Sequence, residues 1–195
     1  QGAGINENAD ALYAAYNYDP TIPVKDSSGG FARSPFVTID NPVALATGVL
    51  SSSNANTILG SFSANYSFSK SIFWEATVAG NFVDERRKSF ATELSQLGER
   101  NNGLGSFHNR QATDYLFSST LNYNKSIEDK HTINAFIGAS FQHFFVEDQN
   151  IFSSNFPTTG LQADNLGLGD RATYQLGTSK GGQRVASLMG RVNYS

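Results

Sequence analysis

Residues 57–82 read TILGSFSANYSFSKSIFWEATVAGNF, and they repeat with a period of two. Even positions from Ile58 to Phe68 hold Ile, Gly, Phe, Ala, Tyr and Phe, while odd positions from Leu59 to Ser69 hold Leu, Ser, Ser, Asn, Ser and Ser. After a break at Ser69-Lys70-Ser71 the pattern resumes. Ile72, Trp74, Ala76, Val78, Gly80 and Phe82 share one side, with Glu75, Thr77 and Asn81 opposite. Successive side chains of a strand point to opposite faces, so this stretch predicts a hairpin with one apolar face and one hydroxyl and amide face.

The same two-faced code recurs along the chain. Tyr115, Phe117, Leu121 and Tyr123 oppose Ser118, Thr120, Asn122 and Asn124. Ile133, Ala135, Ile137, Ala139 and Phe141 oppose Thr132, Asn134, Ser140 and Gln142. Leu188, Val192 and Tyr194 oppose Ser187, Arg191 and Asn193. Five strands are expected. The short break after the first strand and Ser126 to Lys130 after the third contrast with Asp84–Thr113 and Glu147–Gln183. Those are connections of roughly 30 residues, where compact domains use about 2–6. Alternating short turns and long loops are the pattern of an outer-membrane β-barrel.

Aromatics fall near both ends of the apolar face. Tyr66, Phe68, Trp74, Tyr123 and Tyr194 lie toward the short turns, and Phe82, Tyr115, Phe117 and Phe141 toward the long loops. Two interfacial girdles have this form. The apolar side chains left in water would forgo tens of kcal/mol, at about 1.5–3 kcal/mol for each large one. The expected fold class is therefore all-β, antiparallel strands of a larger outer-membrane barrel. Ser63, Asn65, Thr77, Thr120, Asn122, Asn134, Ser140 and Arg191 are read as facing its wet lumen.

Composition agrees. The chain has 195 residues, no Cys, 14 Lys+Arg against 17 Asp+Glu, and only 16% charged residues. In place of charge stand 23 Ser, 18 Asn, 18 Gly and 15 Phe. Without Cys, thiol catalysis and disulfides are excluded, and a net charge of -3 gives no nucleic-acid footprint. No apolar run is long enough for a transmembrane helix. The chain starts at Gln1 and stops at Ser195 within an alternation, and it reads as a piece of a longer protein.

Residues 1–56 are expected to form a barrel-entry and outer-loop segment, and residues 57–195 the strands and loops of the barrel. Within the first, Ala9 to Tyr16 predicts two helical turns capped by Asn8. Asp19-Pro20 and Ile22-Pro23 predict extended backbone. Ser27-Ser28-Gly29-Gly30 predicts a turn, and Ser51 to Asn56 a polar loop.

An ordered series then points to a family: Asp19-Pro20-Thr21-Ile22-Pro23-Val24, Asp26, Gly29-Gly30, Asn41-Pro42-Val43-Ala44, and a closing Gly190-Arg191-Val192-Asn193-Tyr194-Ser195. The chain resembles the barrel region of SusC/RagA-type TonB-dependent transporters over nearly its whole length. The resemblance implies a fragment of a barrel of about 22 strands with a plug inside, in the outer membrane of a Gram-negative bacterium. It implies import of oligosaccharides or peptides and no catalytic residues. The implied partners are a SusD-like surface lipoprotein lid, outer-membrane lipid and TonB, the last engaged through an N-terminal region that nothing in residues 1–195 matches. A porin-like channel and a secreted β-sandwich adhesin or glycan-binding module are the alternatives.

No motif points to other chemistry, and no cofactor is expected. His108, His131 and His143 lack metal-ligand spacing and are read as interfacial or solvated. Asp84-Glu85-Arg86-Arg87-Lys88 reads as a solvated loop start. Asp164 to Asp170 lacks the acidic alternation of a calcium loop and reads as a Gly-rich loop. Phe107, His108, Arg110, Phe152, Phe156 and Tyr174, placed by this reading in the long loops, are the candidates for ligand or lid-protein contact.

Overall fold

The computed structural model describes residues 11–128 and 130–195. Five strands, β1 (Val49–Ser67), β2 (Ile72–Ala91), β3 (Leu104–Ile127), β4 (His131–Ser154) and β5 (Gln175–Tyr194), form one sheet in that spatial order. Each strand pairs with its sequence neighbours in an antiparallel meander. Thr132 and Ser195 exchange both backbone hydrogen bonds, at 2.7 and 3.1 Å, as a hydrogen-bonded antiparallel pair does. One five-stranded sheet is present among the described residues, with no second sheet packed on it as the sandwich alternative expects.

The strands outrun the apolar code. They span 19 to 24 residues, whereas crossing the hydrocarbon takes about 9–11. The connections expected at roughly 30 residues accordingly shrink to residues 92–103 and 155–174. Ser51–Asn56, expected as a loop, lies within β1, and Asp84–Lys88, expected as a loop start, lies within β2. The reason is physical. Period-two hydrophobicity marks only where one face must meet lipid, while the backbone ladder continues with polar residues on both faces.

Three short α-helices, α1 (Ala11–Asn17), α2 (Pro42–Gly48) and α3 (Gln96–Arg100), and three single 3-10 turns between β4 and β5 complete the described chain. The helix expected over 9–16 appears as α1; Asn8, its expected cap, lies outside the described residues. The Asn41 side chain accepts from the Val43 and Ala44 amides, and Pro42 occupies the first turn of α2, where its missing N–H costs nothing. The Ser95 hydroxyl accepts from Gly98 N at 3.2 Å and caps α3. At the expected turn Gly29 has φ +88°, a conformation open to glycine, and Lys25 pairs with Phe31 across it. No helix among the described residues is long and apolar enough to cross a membrane.

The chain divides into two compact units, residues 1–54, 85–109 and 148–178, and residues 55–84, 110–147 and 179–195. The first has a true core. Ala14, Ala44, Leu45, Phe90, Ala91, Leu104 and Phe156 are buried, and the Phe90 and Phe156 rings meet edge to face at 5.1 Å. Polar ties fasten its helices. Asn41 Nδ2 donates to the carbonyls of Val24 and Ala32 at 3.1 and 3.2 Å, and Asp40 Oδ2 accepts from Gln96 N at 2.6 Å. The second unit is a bare wall with both faces open. Ile58 is 68% and Leu188 87% exposed, which is tolerable only where lipid replaces water.

Candidate functional site

The polar face of the wall is a layer of short hydrogen-bonding side chains. Ser63 Oγ and Thr77 Oγ1 lie 2.9 Å apart across β1 and β2. Asn122 Nδ2 donates to Thr120 Oγ1 at 3.4 Å, Gln142 Nε2 to the Asp114 carboxylate at 3.2 Å, and Arg191 Nε to Asn193 Oδ1 at 3.0 Å. The residues expected in the lumen, Ser63, Asn65, Thr77, Thr120, Asn122, Asn134, Ser140 and Arg191, share this face by strand alternation. A Cβ on Gly138 would meet Thr120 and lie 3.4 Å from Met189, so both belong to the same face.

Apolar residues also stand on that face; the sequence reading placed Leu59 there and passed over the others. Leu116 and Phe144 alternate with outward rings, Leu59 and Val185 share their face, and the four are 37, 38, 78 and 40% exposed. Their signal was present, since each breaks the hydroxyl alternation at an odd or even position opposite the apolar set.

The opposite face has its own ties. Trp74 Nε1 donates to Ser119 Oγ at 2.7 Å. His131 stacks on Tyr194 with ring centroids 5.7 Å apart, and its Nδ1 lies 2.6 Å from the tyrosine hydroxyl. His143 packs between Tyr115 and Phe145. Both histidines thus pack against aromatic rings of that face.

The candidate contact residues are dispersed by the structure. Phe107, His108 and Arg110 lie in β3 and Phe152 in β4, on strand extensions and not in loops. Phe156 is 6% exposed and packs against Phe90, so it is a core residue of the first unit. Tyr174 donates its hydroxyl to the Gly167 carbonyl at 2.7 Å, closing the Gly-rich loop on itself. His108 Nδ1 lies 2.7 Å from Asn150 Oδ1, with Asp148 3.8 Å from Nε2. Arg110 is exposed. Among the described residues no group of three His, Asp or Glu side chains gathers as metal ligands would.

In the N-terminal segment, the Ser28 hydroxyl and the Ser28 and Gly30 amides hold Asp26 below the usual carboxylate range. Thr21 does the same for Asp19, through its hydroxyl and its amide. Burial raises the Tyr18 phenol, whose hydroxyl donates to the Ala32 carbonyl at 2.7 Å. These are turn locks that rigidify the loop segment.

No protein-family model matches the chain. It is 28% identical over 194 residues to TonB-dependent receptor P3 of Formosa agariphila, covering 98% of this chain and 19% of that protein. It is 28% identical over 185 residues to TonB-dependent receptor P26 of the same organism, covering 90% and 18%. Among solved structures it resembles the RagAB peptide importer in the open-open state, with TM-score 0.72 and 17% identity over 87% of this chain and 19% of that one. The closed-closed state gives TM-score 0.69 over 79% and 17%. The chain therefore spans about a fifth of the length of the relatives it matches. The resemblance read from the sequence stands: the chain is similar to TonB-dependent receptors along nearly all its length, and its five strands are a stretch of outer-membrane β-barrel wall from a Gram-negative cell.

Proposed function

We propose that this chain is a wall and outer-loop segment of a TonB-dependent transporter that imports oligosaccharide or peptide nutrients, working with a SusD-like surface lipoprotein and with TonB. In domain terms, the segment preceding β1 would form outer-loop structure and the remainder barrel wall. The observation that supports it most is the pairing of a hydroxyl and amide face with a face of girdle aromatics on one meander. Lipid takes the aromatic side, and the Ser, Thr and Asn side can trade hydrogen bonds with hydrated cargo without holding it tightly, because neutral hydroxyls exchange readily with water.

On this reading the strand extensions bearing Phe107, His108, Arg110 and Phe152 are the part that first meets cargo or lid protein. Aromatic faces beside planar polar groups suit both sugars and peptides. Similarity to TonB-dependent receptors favours coupled import over a porin-like channel.

The test is uptake of labelled oligosaccharide and peptide pools by cells expressing the full-length protein, with and without TonB. Accumulation that collapses on TonB depletion is expected. Accumulation indifferent to TonB would make the barrel a diffusion channel and overturn the reading.

A further inference from the structure

The apolar face is not evenly filled. Near the short-turn end, Ile72, Leu121, Tyr123, Ala135, Ile137, Gly190 and Val192 line a groove of about 500 Å3. It exists because small residues fall together: Gly190 has no side chain and Ala135 only a methyl, between the larger Tyr123, Ile137 and Val192. Asn122, Phe136 and Arg191 also line it, but by strand alternation their side chains belong to the opposite face, so the walls are aliphatic and aromatic. A groove of that kind is shaped for a flexible hydrocarbon chain.

The end of the groove facing the short turns is polar and charged. Lys125 follows Tyr123 by two positions on the same face, about 7 Å further along the strand. Tyr194 follows Val192 in the same way and is held by His131 through the 2.6 Å contact. Lys125, Lys130 and His131 are all exposed there, as is Glu128 on the β3–β4 turn. Short turns of outer-membrane barrels lie on the periplasmic side, so this mouth opens at the headgroup level of the inner leaflet.

We propose that this groove is a binding site for one acyl chain of a zwitterionic glycerophospholipid of the periplasmic leaflet. The lipid phosphate meets Lys125 and the Tyr194–His131 pair, and its amine meets Glu128. Three features carry the assignment. The groove lies on the face that lipid covers, its walls are apolar side chains, and the strand end and turn beside it carry both an exposed lysine and an exposed glutamate. An anionic headgroup would pair with Lys125 or Lys130 and leave Glu128 facing like charge. The inference rests on the outer-membrane placement alone and is independent of the cargo.

The experiment is native mass spectrometry of the full-length protein purified in mild detergent and titrated with phosphatidylethanolamine or phosphatidylglycerol. The wild type is expected to retain one phosphatidylethanolamine through delipidation. Ala135→Phe, which fills the groove, should lower the bound fraction at least fivefold, and Lys125→Glu should do likewise at the mouth. Ala139→Phe, on the same face of β4 but outside the groove, should bind as wild type does. Heat-modifiable migration on gels verifies that each variant is folded, and Ala135→Leu replaces Ala135→Phe if the latter is not. Equal retention by the groove and control variants, no retained lipid on the wild type, or no preference between the two lipids would overturn the proposal.

Discussion

The indole N–H of Trp74 on β2 donates to the hydroxyl of Ser119 on β3 at 2.7 Å, in a row of β3 where Tyr115, Phe117, Leu121 and Tyr123 are its apolar neighbours. A serine in that row would be misplaced by hydrophobicity alone, and its partner explains it. In hydrocarbon an indole N–H has no water to fall back on. Ser119→Ala is expected to destabilise the folded barrel by about 1 kcal/mol, since such bonds in membranes are worth about 0.6–2 kcal/mol. In a double-mutant cycle read by urea titration in lipid vesicles, Trp74→Phe should then add no further loss through this bond. Additive losses would mean that the pair is uncoupled.

The two faces make opposite demands on charge. Ile137→Arg, on the apolar face, should cost about 2–4 kcal/mol where it meets the hydrocarbon interior. Ser140→Arg, on the polar face, should be mild. Folding yield of the full-length variants into vesicles measures both, and equal yields would reverse the assignment of lipid and lumen.

Glycines in the two units have different reasons to be there. Gly98 in α3 is packed so closely that a Cβ would run into the Thr92 carbonyl, whereas Gly60 in β1 has nothing within 4 Å. Gly98→Ala should displace α3 and cost about 1–3 kcal/mol of overpacking, seen as faster proteolysis within residues 92–103. Gly60→Ala should leave proteolysis unchanged.

Acid should loosen the turn around Asp26. Its folded pKa lies below the ordinary value because the Ser28 hydroxyl bonds the ionised form, helped by backbone amides. A group depressed in this way stabilises above its unfolded pKa and loses that contribution as pH falls through the folded one. The 25–31 turn is therefore intact at neutral pH and weakened in acid below the ordinary carboxylate range. Asp26→Asn should remove most of this acid dependence. Hydrogen exchange of the Ser28 and Gly30 amides, followed against pH, checks the sign.

The contact residues show where sequence reasoning stops. Phe156 and Phe152 look alike in the sequence, two aromatics four positions apart, yet Phe156 is buried against Phe90 while Phe152 is half-exposed on β4. Nothing local separates them, because the partner lies on β2, far away in the chain. The same holds for Gly105, which falls in the expected Asp84–Thr113 loop and instead lies in β3, where a Cβ would meet Leu166 and Phe90.

The sequence by itself determined the number of strands, their faces and the alternation of short and long connections, because lipid on one side and water on the other impose a period of two wherever the sheet meets both. It also carried the resemblance to SusC/RagA-type transporters. Only the tertiary structure decided how far the strands run beyond the apolar code, which aromatics are core, and where Gly190 and Ala135 open a groove. Those features depend on hydrogen-bond ladders and packing between residues distant in the chain, and such pairings leave no periodic trace in either strand alone.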